Sequence, residues 1–394
     1  MPAMKRCPAR AASHPDLGGL QWICEDETHR IAVQQQVLAL LLEFRLRDHV
    51  RFSEHHGDDT CVLSACLSPS TQALWTPDHD TLNLYRRIDR LAGEAQEFTN
   101  QREILVALLA SPLAFAFSSV QALRSHLRVR HYIAEAAKKT ALAFKTEAAE
   151  RPEAFWHYEE EHGFLLQPGA SLIDALVAAT QPEATGKLYD FSCYRASEYV
   201  ILLGLAREMQ DQHPDLLMQL QSQCEQHAIR SGLFHEVFLV EYGSMEVPLP
   251  ARFCVPGDRL WFRNPDEASA DVTGYEGSWV IYMGQGLFSN FWKRDHPFTL
   301  EDKCLEIYFW RKGLYFDAQG EPQMNEAVVE AEVARCKQDP ARMQAVLAQM
   351  LRMRDPKGVY AQGGCIDTTR EFPRGVWGAD CELELPLFPK TQAG

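Results

Sequence analysis

The chain has 394 residues, 46% apolar and 24% charged, which fits a globular protein of two or three domains and excludes wholesale disorder, a collagen-like repeat or a small disulfide scaffold. Lys and Arg number 39 against 54 Asp and Glu, a net charge of −15, so the general positive field that phosphate backbones need is absent and no nucleic-acid partner is expected. Eleven cysteines without repeated spacing suit packed thiols in a reducing compartment, and no apolar run reaches the roughly 20 residues that span a bilayer; the expectation is a cytoplasmic protein with no membrane partner, export without a signal peptide aside.

Residues 1–27, with Pro2, Pro8, Pro15 and Gly18-Gly19, read as an irregular arm. From His29 to Val50 the apolar positions Ile31, Val33, Val37, Leu38, Leu41 and Phe44 recur at helical spacing and predict a helix. Further helical patterns cover 81–95, 99–110 and 117–148, so 28–140 reads as a helical N-terminal domain. Glu54, His55, His56, Asp58, Asp59, Cys61 and Cys66 form its metal-like cluster. They lack the paired spacing of zinc sites, and Gly57-Asp58-Asp59 reads as a solvated turn, so no metal is expected.

The character changes after residue 149. A helix at 170–180 and a loop lead to Tyr189-Asp190-Phe191-Ser192-Cys193, and then to an almost wholly apolar stretch, Tyr199 to Ala206, which predicts a buried helix. A helix at 214–229 and a short strand at 237–240 follow. Turns at Pro256-Gly257 and Asn264-Pro265-Asp266 bracket a strand at 258–262; strands 278–283 and 287–292 flank Gly284-Gln285-Gly286 as a hairpin. A helix at 299–312 closes the central unit, 141–312. Helical patterns at 323–337 and 340–354 and a tail, with apolar alternation near Leu383 to Phe388, make 313–394 a C-terminal extension.

Cys193 opens the buried helix, where unpaired N–H groups and the positive end of the helix dipole favour thiolate; Arg195 adds charge. A thiol so placed, with a later hairpin to supply base and orienting groups, is the layout of papain-like enzymes, although position alone favours a packed structural thiol. Three stretches go further. Tyr189 to Cys193 is similar to an aromatic-x-Phe-Glu-Cys segment, Pro256 to Pro265 to a Gly-Asp-x-x-Tyr-Phe-x-Asn-Pro run, and Gly274 to Gly284 to a Trp-x-Gly-Glu-Asn-Val-Ile-x-x-Gly strand. Over 140–312 the chain thus resembles the bacterial spore-coat type of protein-glutamine gamma-glutamyltransferase. The resemblance implies an α+β fold with a papain-like (NlpC/P60-like) central domain, a Cys193 nucleophile and no cofactor. It also implies a protein substrate carrying glutamine, with lysine or another amine as acceptor; water in place of the amine would make the enzyme a deamidase.

The family's base, a Glu after the strand's Gly, is Ser278 here; the Glu before its nucleophile is Ser192; its His after the hairpin falls near Asn290. Glu276 shares a strand face with Ser278 and would act as base if Gly277 forms a bulge. Asn290 is of the type that orients a papain-like histidine, for which His296 and His235 are available. Trp279, Tyr275 and Trp292, with Trp261 and Phe291, are candidate walls of a substrate groove. Two alternatives stay open: a cysteine protease, or a binding module that kept the fold and lost the reaction. The helical domain before residue 141 would then recognise a partner protein or deliver a secreted effector.

Overall fold

The computed structural model describes residues 18–56, 61–92, 99–144, 149–229, 231–355, 363–378 and 381–385. Residues 1–17 of the expected arm, the Asp58-Asp59 turn and residues 386–388 of the terminal alternation lie outside them. The architecture is mixed α+β, organised around the helix Cys193–Gln212, which is buried from Ala196 to Ala206. A helix apolar on every side must be covered on every side. Helices Val120–Lys139 and Leu172–Thr180 and strand Gly277–Gly284 provide that cover. Gly204 marks a tight crossing: a β-carbon there would fall 2.4 Å from Ile133 Cγ1 on helix Val120–Lys139.

Strand Gly277–Gly284 belongs to a five-stranded antiparallel sheet, in the order Leu287–Phe288, Gly277–Gly284, Arg259–Arg263, Arg370–Pro373, Leu239–Tyr242. The fourth strand corrects the reading of the C-terminal segment as helices and tail. The short run of residues 370–373 gives no apolar alternation because Arg370 and Glu371 are themselves buried, at 1% and 6% exposure. Buried charges of that kind need polar partners. Glu371 is paired twice, with Arg259 and His235. The helices expected over 323–337 and 340–354 occur at Glu326–Lys337 and Pro340–Met350, after a small hairpin, Leu314–Phe316 with Pro322–Met324.

The mainly helical reading of 28–140 agrees with the helices found there but leaves out a sheet. Strands Gly19–Cys24, Val50–His56, Cys61–Leu67 and Ala114–Ala116 form a four-stranded sheet, packed by helices Glu27–Glu43 and Asn100–Leu109. Part of the supposed arm is therefore a central strand, with Leu20, Trp22 and Cys24 fully buried. Val50–His56 escaped notice because it is a half-exposed edge strand rich in polar residues. Tyr242, Leu249, Phe253 and Val255 from the middle of the chain complete this sheet's core. No helix among the described residues is long and apolar enough to cross a membrane.

Candidate active site

Cys193 is the first residue of its helix. The strand Asp190–Phe191, paired in parallel with Ala143–Phe144, brings the chain to that point; Ser192 then caps the helix, its Oγ accepting the Arg195 N–H. Ser192 is thus a conventional N-cap. The backbone N–H groups of Trp279 and Tyr194 and the Lys303 ammonium favour the Cys193 thiolate. Burial outweighs them. The thiol lies above its ordinary value, and the Glu276 carboxylate pushes it in the same direction. The expected lowering by the helix terminus is therefore overridden by desolvation. Arg195 is committed elsewhere, to Glu198 at 2.8 Å and to the Ile229 carbonyl.

The sulfur opens into a cavity of about 370 Å³ walled by Phe144, Tyr194, Trp261 and Trp279, with Thr273, Gly274 and Glu276 along the remaining side. Trp261 stacks on Trp279 at 6.0 Å between centroids, and Tyr194 meets Trp279 edge-on at 5.3 Å. Gly277 makes room for this: a β-carbon there would lie 2.3 Å from Trp261 Nε1. It does so in regular register opposite Arg263, without the bulge suggested for it; the sheet's irregularity lies further on, between Tyr282 and Gly284.

Glu276 is the one carboxylate among the residues lining the cavity. Its loop is held by the Asn264-Pro265 motif: Asn264 N donates to the Glu276 carbonyl at 3.0 Å, and Asn264 Nδ2 to the Tyr275 carbonyl at 2.9 Å. The Gly257-Asp258 part of the same motif is buried scaffolding. Asp258 accepts from Arg130 Nη1 at 2.7 Å, from the Tyr242 hydroxyl and from the Val255 N–H at 2.7 Å.

Other expected site residues are not brought to this cavity. Asn290 turns away to close a loop, donating from Nδ2 to the His296 carbonyl and accepting the Lys293 N–H on Oδ1. His296 itself is exposed, and the expected strand 287–292 stops at Phe288 because the chain turns there. His235 lies on the helix Ser231–Phe238, bonded to Glu371 at 2.7 Å. No histidine lines the cavity among the described residues. Ser278 is half-buried opposite Phe262. Tyr275 packs on Trp310 and bonds Glu326, and Trp292 stands one ring back, against Phe144. Phe144 and Tyr194 were missed as wall residues. Adjacency to Cys193 could have flagged Tyr194, whereas Phe144 arrives only through strand pairing.

Among the described residues, no three His, Cys, Asp or Glu side chains come together to hold a metal ion, Glu54 and Cys61 included. A thiol on a helix terminus, sharing an aromatic cavity with one carboxylate, marks a candidate site on an α+β scaffold. The chain belongs to the protein-glutamine gamma-glutamyltransferase family: the family model matches residues 86–362, beyond both ends of the stretch read from the motifs. It is 27% identical over 193 residues to the protein-glutamine gamma-glutamyltransferase of Halalkalibacterium halodurans (strain C-125). That match covers 48% of this chain and 62% of the relative, so the chain spans about three-fifths of the relative's length. Among solved structures it is similar to a transglutaminase from Geobacillus stearothermophilus without its C-terminal extension. Identity there is 19%, covering 54% of this chain and 96% of that one, with a TM-score of 0.36.

Proposed function

We propose that this chain catalyses thiol-dependent acyl transfer at glutamine side chains of proteins, on a papain-like (NlpC/P60-like) arrangement, with Cys193 as nucleophile. The observation that carries this reading is Cys193 at a helix terminus, sharing an aromatic-walled cavity with Glu276, the one carboxylate among the residues lining it. Glu276 takes the thiol proton as the sulfur attacks the glutamine Cδ. The negative charge on the carboxamide oxygen is met by main-chain N–H groups of the helix's first turn. The C–N bond then breaks, the proton passes to the departing nitrogen, and ammonia leaves a thioester. A primary amine, such as that of lysine, attacks the thioester, gives its proton to Glu276 and restores the thiol.

The apolar walls suit an intermediate that must outlast contact with water. Where water replaces the amine, the product is glutamate and the protein acts as a deamidase. The protease alternative loses support because no histidine lines the cavity among the described residues. The sheet-bearing segment before residue 86 lies outside the family match, which supports giving it a recognition role toward a partner protein. The test is incubation with a glutamine-donor protein and a labelled primary amine, reading incorporation and released ammonia together. Incorporation that vanishes in Cys193→Ala is expected. Incorporation that persists in that variant would overturn the role of Cys193.

A further inference from the structure

One buried guanidinium touches two rings that wall the Cys193 cavity. Arg259, 1% exposed, lies 4.6 Å from the Trp279 ring centroid and 5.0 Å from that of Tyr194. Trp279 and Tyr194 both line the Cys193 cavity, and their main-chain N–H groups favour the thiolate. Arg259 Nη1 reaches Ser197 Oγ at 3.4 Å, one turn along the Cys193 helix, and Nε bonds Glu371. Nη2 has no hydrogen-bond partner among the described residues, so this face of the guanidinium is spent on aromatic rings. Glu371 sits on the strand Arg370–Pro373, beyond residue 362, where the family match ends.

A buried arginine is costly to desolvate, and a planar, rigid guanidinium is the side chain suited to lock two rings against each other. We propose that Arg259, anchored by Glu371, is a positioning residue for the Cys193 thiol: it clamps Trp279 and Tyr194 so that their N–H groups keep favouring the thiolate, and the C-terminal strand thereby completes the site. This inference rests on Cys193 being the reactive group of the proposed function.

The test uses the full chain with Arg259→Met, Arg259→Lys and Glu371→Gln. The rate of Cys193 alkylation by iodoacetamide is followed against pH by peptide mass spectrometry, beside kcat and KM for labelled-amine incorporation. With the clamp gone, the alkylation profile of Arg259→Met moves up by about one pH unit, roughly tenfold less thiolate at a fixed pH below it. Its kcat falls while KM for the glutamine donor stays within about twofold, because no substrate contact is removed. Arg259→Lys recovers part of the loss, and Glu371→Gln falls between. A folded Arg259→Met with the wild-type alkylation profile overturns the proposal. If that variant does not fold, wild-type profiles in both Arg259→Lys and Glu371→Gln overturn it instead. The alkylation readout separates the two readings. A shifted profile in a protein that incorporates no amine sinks the proposed function and keeps the clamp; an unshifted profile in an active enzyme sinks the clamp alone.

Discussion

Glu103 makes the stability of this fold depend on pH. It is 1% exposed on the helix Asn100–Leu109 and reaches the turn of the hairpin that carries Trp279. Its carboxylate accepts the Tyr282 hydroxyl at 2.9 Å and the Gln285 N–H at 2.8 Å and 3.0 Å. Burial overcomes these bonds and pushes the carboxyl from 4.5 up to about 7. The folded chain therefore holds this proton more tightly than the unfolded chain. The resulting stabilisation is fully present below pH 4.5 and is lost as pH rises through 7. At about 1.4 kcal/mol per decade the whole effect is roughly 3 kcal/mol, of which roughly 2–3 kcal/mol falls between pH ~5 and ~8. Glu103→Gln keeps a hydrogen-bonding amide and removes the titration. Urea unfolding of both proteins at the two pH values, taken as a difference of differences, cancels every other titrating group. The wild type is expected to lose roughly 2–3 kcal/mol more than the variant on going to the higher pH. Parallel losses in the two proteins would refute the reasoning.

The remaining predictions concern the site and its frame. Glu276→Gln is expected to slow acyl transfer about 100-fold or more by removing the base. The same variant should alkylate faster at Cys193 near pH 8, because the Glu276 charge raises that thiol; unchanged transfer in steady-state assays would remove Glu276 from the mechanism. Gly204→Ala should cost about 1–3 kcal/mol in denaturant unfolding, since its methyl group would overlap Ile133. Asp258→Asn leaves the fully buried Arg130 guanidinium short of its countercharge and should cost roughly 3–5 kcal/mol in the same assay; a loss under ~1 kcal/mol would contradict the architectural reading of the Gly-Asp motif.

Sequence reasoning reached the site where chemistry and contiguity coincide. The apolar run after Cys193 announced a central helix, and the glycine and proline punctuation from Pro256 to Gly286 announced strands that occur at Arg259–Arg263 and Gly277–Gly284. The three motif stretches announced the family. What escaped was contributed by segments distant in the chain. Phe144 becomes a cavity wall only by pairing beside Phe191, and Glu371 enters the sheet only because Arg259 neutralises it. Neither pattern is periodic, and periodicity is the signal a single sequence offers. Asn290 misled for a different reason. Its residue type suits an orienting role, but Asn also closes turns, and here its amide is consumed by His296 and Lys293 backbone groups.

The central claim is that Cys193 carries the acyl group. The most direct measurement is mass spectrometry of the protein after incubation with a blocked glutaminyl peptide and no amine, quenched in acid. The account predicts an adduct equal to the peptide minus ammonia, mapped to the segment containing Cys193, released by hydroxylamine and absent in Cys193→Ala. Deamidation of the peptide with no adduct on Cys193, or an adduct on another cysteine that survives Cys193→Ala, would contradict it.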